Sequence, residues 1–221
     1  LASKLTAEST LLFDAEAGNL TKLGTYFYAY NDNNDGGLST ITSASTGIDP
    51  FVMTNPGADG TDSSAVATYT LDKGTLQYDA YVGIGFNLNE NDTIPYDLTG
   101  STGISFWHKG DACTMEIGLK TVTDYDNFNL SIPASADWTL VSKTWEDFAQ
   151  YGWGADVTFD PSQITKFQWM VKGSTAAGSY GIDEVILNGI ELELGGDEID
   201  VIALNNIIDQ GFHRGKHPFK G

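Results

Sequence analysis

The residues best placed to meet a ligand are tyrosines. In Gly24-Thr-Tyr-Phe-Tyr-Ala-Tyr30 an extended chain sends successive side chains to opposite faces. Tyr26, Tyr28 and Tyr30 then share one face, and Phe27 and Ala29 the other. A core needs only one of these faces. The second either packs as a buried layer or tyrosine corner, or displays three flat rings tipped with hydroxyls. A display of that kind suits a neutral, hydroxyl-rich ligand such as a sugar chain, because rings cover apolar sugar faces and hydroxyls meet hydroxyls.

Two other segments offer similar chemistry. Around Tyr81-Val-Gly-Ile-Gly-Phe-Asn87, Val82, Ile84, Phe86 and Leu88 alternate as an inward set. Tyr81, Gly83, Gly85 and Asn87 lie opposite them, and the glycines leave room for a ligand against the backbone or mark a twist in an ordinary strand. In Tyr151-Gly-Trp-Gly154 a tryptophan sits between glycines, a poor setting for a core residue because glycine is costly to order. Tyr151 and Trp153 therefore read as rim residues stacking on a sugar.

Carboxylates are the remaining candidates. Glu16 and Asp183 lie near opposite ends of the domain sequence, and first and last strands of a sandwich often pair. If pairing brings the two acids together, their repulsion is resolved by a cation. Ca2+ takes oxygen ligands, with carbonyls and waters completing the shell; the alternative is two solvated surface acids. The acidic run Asp32-Asn-Asn-Asp35 lacks the spacing of a calcium loop and reads as a turn. No nucleophile elbow, paired histidine zinc motif, phosphate loop or dinucleotide fingerprint is present. Catalytic residues are therefore assigned to none. A glycosidase needs only a pair of carboxylates, and 30 acidic residues leave composition silent on that point.

The chain of 221 residues carries 30 acidic against 11 basic side chains, a formal net charge of -19. Such a charge repels nucleic acid and anionic membrane surfaces, so neither is an expected partner. Cys113 is the single cysteine, so an intrachain disulfide is impossible; its place in the alternation Cys113, Met115, Ile117, Leu119 predicts a buried, inert thiol. No run approaches the ~20 apolar residues of a membrane-spanning helix. The first residue is Leu1 rather than Met, as expected where a signal peptide or an upstream domain precedes the segment.

The elements that must hold these side chains read as strands. Period-two alternation recurs at 11–16, 26–30, 38–42, 65–71, 82–88, 104–109, 114–120, 127–133, 138–144, 166–172 and 180–190, with turn residues between. Helical periodicity is scarce before residue 197. The pattern predicts an all-β jelly roll, a sandwich of two antiparallel sheets with ten or eleven strands. Residues 1–10 form an N-terminal extension, 11–192 the module, and 193–221 a tail or linker with a short amphipathic helix at 197–209. Residues 43–64 read as a long loop with a small turn near Pro50. Trp138, Trp145 and Trp169 are assigned to packing, and Trp107 to either face of its strand. His213 and His217 are separated by Gly215 and followed by Pro218, which argue against the helix a metal site would need there.

Taken in order, several motifs resemble family 11 carbohydrate-binding modules, the noncatalytic β-glucan-binding modules of bacterial cellulases. Leu12-Phe-Asp-Ala-Glu16 stands for their acidic opening strand. Gly24-Thr-Tyr26 with Gly37-Leu-Ser-Thr40 matches the first tyrosine-bearing strand and its return. Thr144-Trp-Glu-Asp-Phe148 matches an aromatic turn, and Ile164 to Met170 with Gly181 to Leu187 the closing strands. The resemblance covers residues 11–190. It implies binding of β-1,4 and mixed-linkage β-glucan in a cleft, a covalently linked catalytic domain such as an endoglucanase, extracellular location and a structural Ca2+ at Glu16 and Asp183. Tyr26 and Tyr81 stand at cleft tyrosines, and Asn87 stands at a small hydroxyl residue. Asp124 or Asp126 stands near a ligand-contacting aspartate, and Gln168 at a position that is histidine in a family member. Val171 stands where an aromatic is expected, and no arginine appears at 150–153. The expected site is Tyr26, Tyr28, Tyr81, Tyr151 and Trp153 for stacking, with Asn87, Asp124, Asp126 and Gln168 for hydrogen bonds. The rival readings are a sandwich-fold glycoside hydrolase or lyase and a cell-surface adhesion module that binds protein.

Overall fold

Alternation and β-branched or aromatic residues drive the chain into strands, and a computed structural model describes residues 8–42 and 53–194. The expected tail helix, His213 and His217, the turn near Pro50 and the first seven residues of the extension lie outside the described residues. Among the described residues there are twelve strands: β1 (Ser9–Phe13), β2 (Phe27–Asn31), β3 (Thr40–Thr42), β4 (Ala65–Asp72), β5 (Ala80–Asn87), β6 (Gly103–Gly110), β7 (Cys113–Leu119), β8 (Phe128–Ile132), β9 (Ser135–Thr144), β10 (Ala149–Gln150), β11 (Ile164–Gly173) and β12 (Thr175–Asn188).

They form two six-stranded sheets, a jelly-roll sandwich as expected. One sheet runs β3-β4-β12-β6-β9, with β1 on β12, and the other β10-β8-β7-β11-β5-β2. The first and last strands do pair, Ser9 against Asn188 and Phe13 against Val185. Three differences from the sequence reading have a physical cause. Strand β12 starts at Thr175 because its polar, alternation-free beginning is carried by the ladder to β4, Thr175 opposite Asp72. The short β10, paired with β8, has no alternation to announce it. Ser9 and Thr10 belong to β1 and not to an extension; the Thr10 hydroxyl donates to the Ile190 carbonyl (2.9 Å) and accepts from the Leu192 amide (2.8 Å).

Between the sheets lies an aromatic core. Phe13, Phe27, Phe86, Phe106 and Trp169 are fully buried. Phe27 and Trp169 stack at 6.0 Å, and Phe106 meets Trp169 edge-on at 5.2 Å. Each such pair is worth ~0.5–1.5 kcal/mol beyond its burial. Trp145 closes one end of the core, stacked on Phe167 and donating to the Ser101 carbonyl at 3.0 Å. Trp138 is only half-buried; its ring lies over Gly181 on the outside of the β12 sheet. Trp107 shares that outside, since Ile104, Phe106 and His108 occupy the core side of β6. Cys113 is buried, and burial pushes its thiol up to about 12, too high for a nucleophile.

Candidate ligand-binding cleft

The core consumes one face of the β2–β5–β11–β7–β8 surface and leaves the other to solvent. Val82, Ile84 and Phe86 point inward from β5, as do Phe167, Trp169 and Val171 from β11. The inward Val171 explains why no aromatic is displayed there. The opposite positions align across the sheet as a row, Tyr28–Gly85–Gln168–Glu116–Asn129, set by the strand registers. Over this surface lies a cleft of about 910 Å3 whose lining includes Tyr30, Tyr81, Gln168, Met170, Tyr151 and Trp153.

Tyrosines form one wall. Tyr28 and Tyr30 are 6.2 Å apart between ring centres, and Tyr30 and Tyr81 also 6.2 Å. Gly83 and Gly85 were expected to leave room for a ligand. The room exists but is filled from within: a Cβ on Gly83 would overlap the Tyr30 ring, and one on Gly85 would sit 2.9 Å from Gln168 Cγ. The glycines admit a ring and an amide that then face the ligand. Tyr26 stands 61% exposed, one residue before β2, outside the cleft lining. Tyr30, in contrast, lines the cleft, and the alternation that grouped it with Tyr28 was the signal for it.

Hydrogen bonds hold these rings. Tyr28 OH donates to Asn87 Oδ1 (3.2 Å) and accepts from Gln168 Nε2 (3.0 Å). Tyr81 OH donates to Asp35 Oδ2 at 2.5 Å, and its backbone N–H donates to Asp32 Oδ2 at 3.0 Å. Asp32 is fully buried and accepts also from the Ser39 amide and hydroxyl. Asp32, just before the turn Asn33–Asp35, thus holds the Tyr81 backbone, and Asp35 within the turn holds its ring hydroxyl. Burial, aided by Asp35, raises the Tyr81 phenol above its ordinary value, so it stays protonated and donates.

The opposite wall comes from the loop after β10. Asp126 is buried, and its carboxylate accepts from the amides of Gly152 (3.1 Å) and Gly154 (2.9 Å). Asp124 accepts from the Ala155 amide at 2.8 Å, and such amides hold its carboxyl below its usual value. Gly152 has φ +88, a left-handed conformation that favours glycine. Asp124 and Asp126, expected to contact ligand, are spent on the loop backbone. They hold Trp153 at the rim, 62% exposed, while Tyr125 between them is 80% exposed and also lines the cleft.

Glu116 completes the floor. It is buried, accepts from Tyr151 OH at 2.6 Å, and pairs with Lys172 Nζ at 3.5 Å. Lys172 also lies 4.4 Å from the centre of the Tyr151 ring. No assignment was made to Glu116 or Lys172 from sequence, although Glu116 falls on the outward face opposite Met115 and Ile117. Asp35, Tyr78, Tyr125 and Met170 are among the other cleft residues outside the expected site.

Glu16 and Asp183 converge on one loop rather than on each other. Glu16 Oε1 accepts from the amides of Asp62 and Ser63, both at 2.9 Å. Asp183 Oδ2 accepts from the Ala58 amide (2.8 Å) and Thr61 hydroxyl (2.9 Å). Asp183 sits at a bulge in β12, next to Glu184 at φ 44. It is fully buried, and burial pushes its carboxyl up to about 6 against these donors. No cluster of three or more Asp, Glu, His or Cys side chains suited to a metal occurs among the described residues. A cation there would rest on these two carboxylates and nearby carbonyls. The donor set fits a hard cation to that extent, since a buried carboxylate with no ion-pair partner among the described residues gains from one.

The fold is that of family 11 carbohydrate-binding modules. The module of a cellulosomal cellulase of Clostridium thermocellum superposes with a TM-score of 0.59 at 18% identity, over 85% of this chain and 99% of that one. A second structure, of the Clostridium thermocellum module in complex with a β-1,3-1,4-mixed-linked tetrasaccharide, gives 0.58 at 17% identity, over 83% of this chain and 97% of that one. In sequence, 185 residues are 35% identical to a Fibrobacter succinogenes protein named Endoglucanase 3, covering 80% of this chain. The chain spans 27% of that relative's length. No protein-family model matches the chain.

Proposed function

We propose that this chain is a noncatalytic module that binds β-1,4 and mixed-linkage β-glucan chains in the β5–β11–β7 cleft and holds an attached glycoside hydrolase at its polysaccharide. The observation that carries this reading is the cleft itself, with oriented aromatic rings on two walls above a polar floor, on a fold shared with glucan-binding modules. Aromatic walls bury sugar ring faces, while Gln168, Lys172 and Asn87 offer hydrogen-bonding groups to hydroxyls. Tethering raises the local concentration of enzyme at substrate without any new catalytic contact. Linkage to an endoglucanase-type domain is supported by the name of the Fibrobacter relative, and secretion follows from the same reading. No helix among the described residues is long and apolar enough to cross a membrane.

A structural Ca2+ against Asp183 and Glu16 belongs to this proposal. It would neutralise the buried Asp183 and stiffen the loop through Thr61, Asp62 and Ser63. No contact of the cleft runs through it.

Isothermal titration with mixed-linkage β-glucan, run beside a reducing-sugar assay, tests the reading. Saturable heat without release of reducing ends is the expected result. Release of reducing ends by the isolated chain would instead make it a hydrolase, and absence of heat with any glucan would remove the ligand class.

A further inference from the structure

Three tyrosines of this surface share a feature that their positions alone do not require. Each spends its hydroxyl proton inside the protein: Tyr28 on Asn87, Tyr81 on Asp35 and Tyr151 on Glu116. Two of the three oxygens also accept a bond, Tyr28 from Gln168 and Tyr151 from Lys172 at 3.1 Å. A phenol has one proton to give and two lone pairs. With the proton committed, the oxygen cannot donate to a sugar hydroxyl without breaking an existing bond. A phenol proton given to a carboxylate makes a bond of the strong, charge-assisted kind. Burial and the facing carboxylates raise both the Tyr81 and Tyr151 phenols, which keeps them protonated at any working pH.

The acceptors come from elements other than those carrying the rings. Asp35 reaches Tyr81 of β5 from the turn after β2, and Glu116 of β7 reaches Tyr151 in the loop after β10. Each bond therefore fixes a ring's tilt relative to a neighbouring element. Lys172 lies against the Tyr151 ring and restrains it further.

We infer that Asp35 and Glu116 are positioning residues that orient Tyr81 and Tyr151 as rigid stacking plates, so that ligand affinity resides in the ring faces and not in phenol hydrogen bonds. The inference rests on the glucan-binding reading for its ligand and on the hydrogen-bond geometry for its mechanism. It separates this cleft from one in which acids and hydroxyls bind sugar directly.

A double-mutant cycle tests it, with titration of mixed-linkage β-glucan as one readout and near-ultraviolet circular dichroism without ligand as the other. Tyr151→Ala is expected to weaken binding about tenfold and Glu116→Ala about three- to tenfold, while the double variant is no weaker than Tyr151→Ala. Glu116→Gln should restore most of the affinity, because an amide oxygen still accepts the phenol proton. The same relations are expected for Tyr81→Ala, Asp35→Ala and Asp35→Asn. Glu116→Ala and Asp35→Ala should also change the tyrosine bands while the far-ultraviolet spectrum stays native. Losses that multiply in the double variants, or Gln and Asn variants as weak as the Ala ones, would mean that the acids touch ligand and would overturn the inference. So would unchanged tyrosine bands. Should the unaltered chain bind no glucan, the functional reading falls alone, because the dichroism still decides whether the acids orient the rings.

Discussion

The two walls of the cleft solve one problem in different ways. Tyr30 and Tyr81 stand on strands, where the ladder already fixes the backbone, and a single carboxylate, Asp35, takes the Tyr81 phenol. Tyr151 and Trp153 stand on an irregular loop with no ladder. There Asp126 and Asp124 accept three backbone amides, and Glu116 takes the phenol. An aromatic on a strand is aimed by regular structure; one on a loop must be aimed by side chains. The acidity of the chain is in part the material of this scaffolding.

That contrast predicts unequal sensitivity. Asp126→Ala should have the largest effect, since it strands the Gly152 and Gly154 amides. Each hydrogen bond lost costs ~0.5–1.5 kcal/mol, so melting should fall, and glucan affinity should drop more than tenfold as the loop loses its shape. Retained affinity in a folded Asp126→Ala variant would show that the loop wall is dispensable. Next comes Trp153→Ala, expected to weaken binding about tenfold with an unchanged melting temperature, because the side chain is exposed and leaves no cavity. Gly83→Ala probes the strand wall: its Cβ collides with the Tyr30 ring, so the ring must move. A three- to tenfold loss in affinity with a small loss of stability is expected, and wild-type binding would take Tyr30 out of the site.

The smallest effect lies outside the cleft. Asp183 has a folded value of about 6 against 3.8, so the folded chain binds its proton first. Its contribution to stability therefore rises as pH falls from about 6 towards 3.8 and is lost as pH rises through that window. In chelator, Asp183→Asn should flatten this part of the melting profile. With Ca2+ bound, the unaltered chain should melt higher at neutral pH and lose the slope. Identical profiles with and without Ca2+ would remove the ion.

Much of the fold was legible because its signal is local. The inward sets of β4, β5, β6 and β7 read directly from alternation, as did the pairing of the first and last strands. The start of β12 and all of β10 were not, because their strand character comes from a partner rather than from their own residues. Of the residues the sequence singles out by type, spacing and resemblance, Tyr81, Tyr151, Trp153 and Gln168 line the cleft. Asp124 and Asp126 are expected from sequence to meet the ligand, and only the folded loop reveals that Gly152, Gly154 and Ala155 donate to their oxygens. Glu116 and Lys172 are joined by a salt bridge across 56 positions of sequence, a relation no local pattern carries.

The most direct measurement is the map of backbone amide shifts when a mixed-linkage glucan oligosaccharide is titrated into the isotope-labelled chain. Binding in the cleft predicts shifts concentrated at Tyr81 to Gly85, Glu116, the loop 150–155 and Gln168 to Lys172. The outer face bearing Trp107 and Trp138 should stay still. Shifts confined to that outer face, or none at saturating sugar, would contradict the cleft as the binding site.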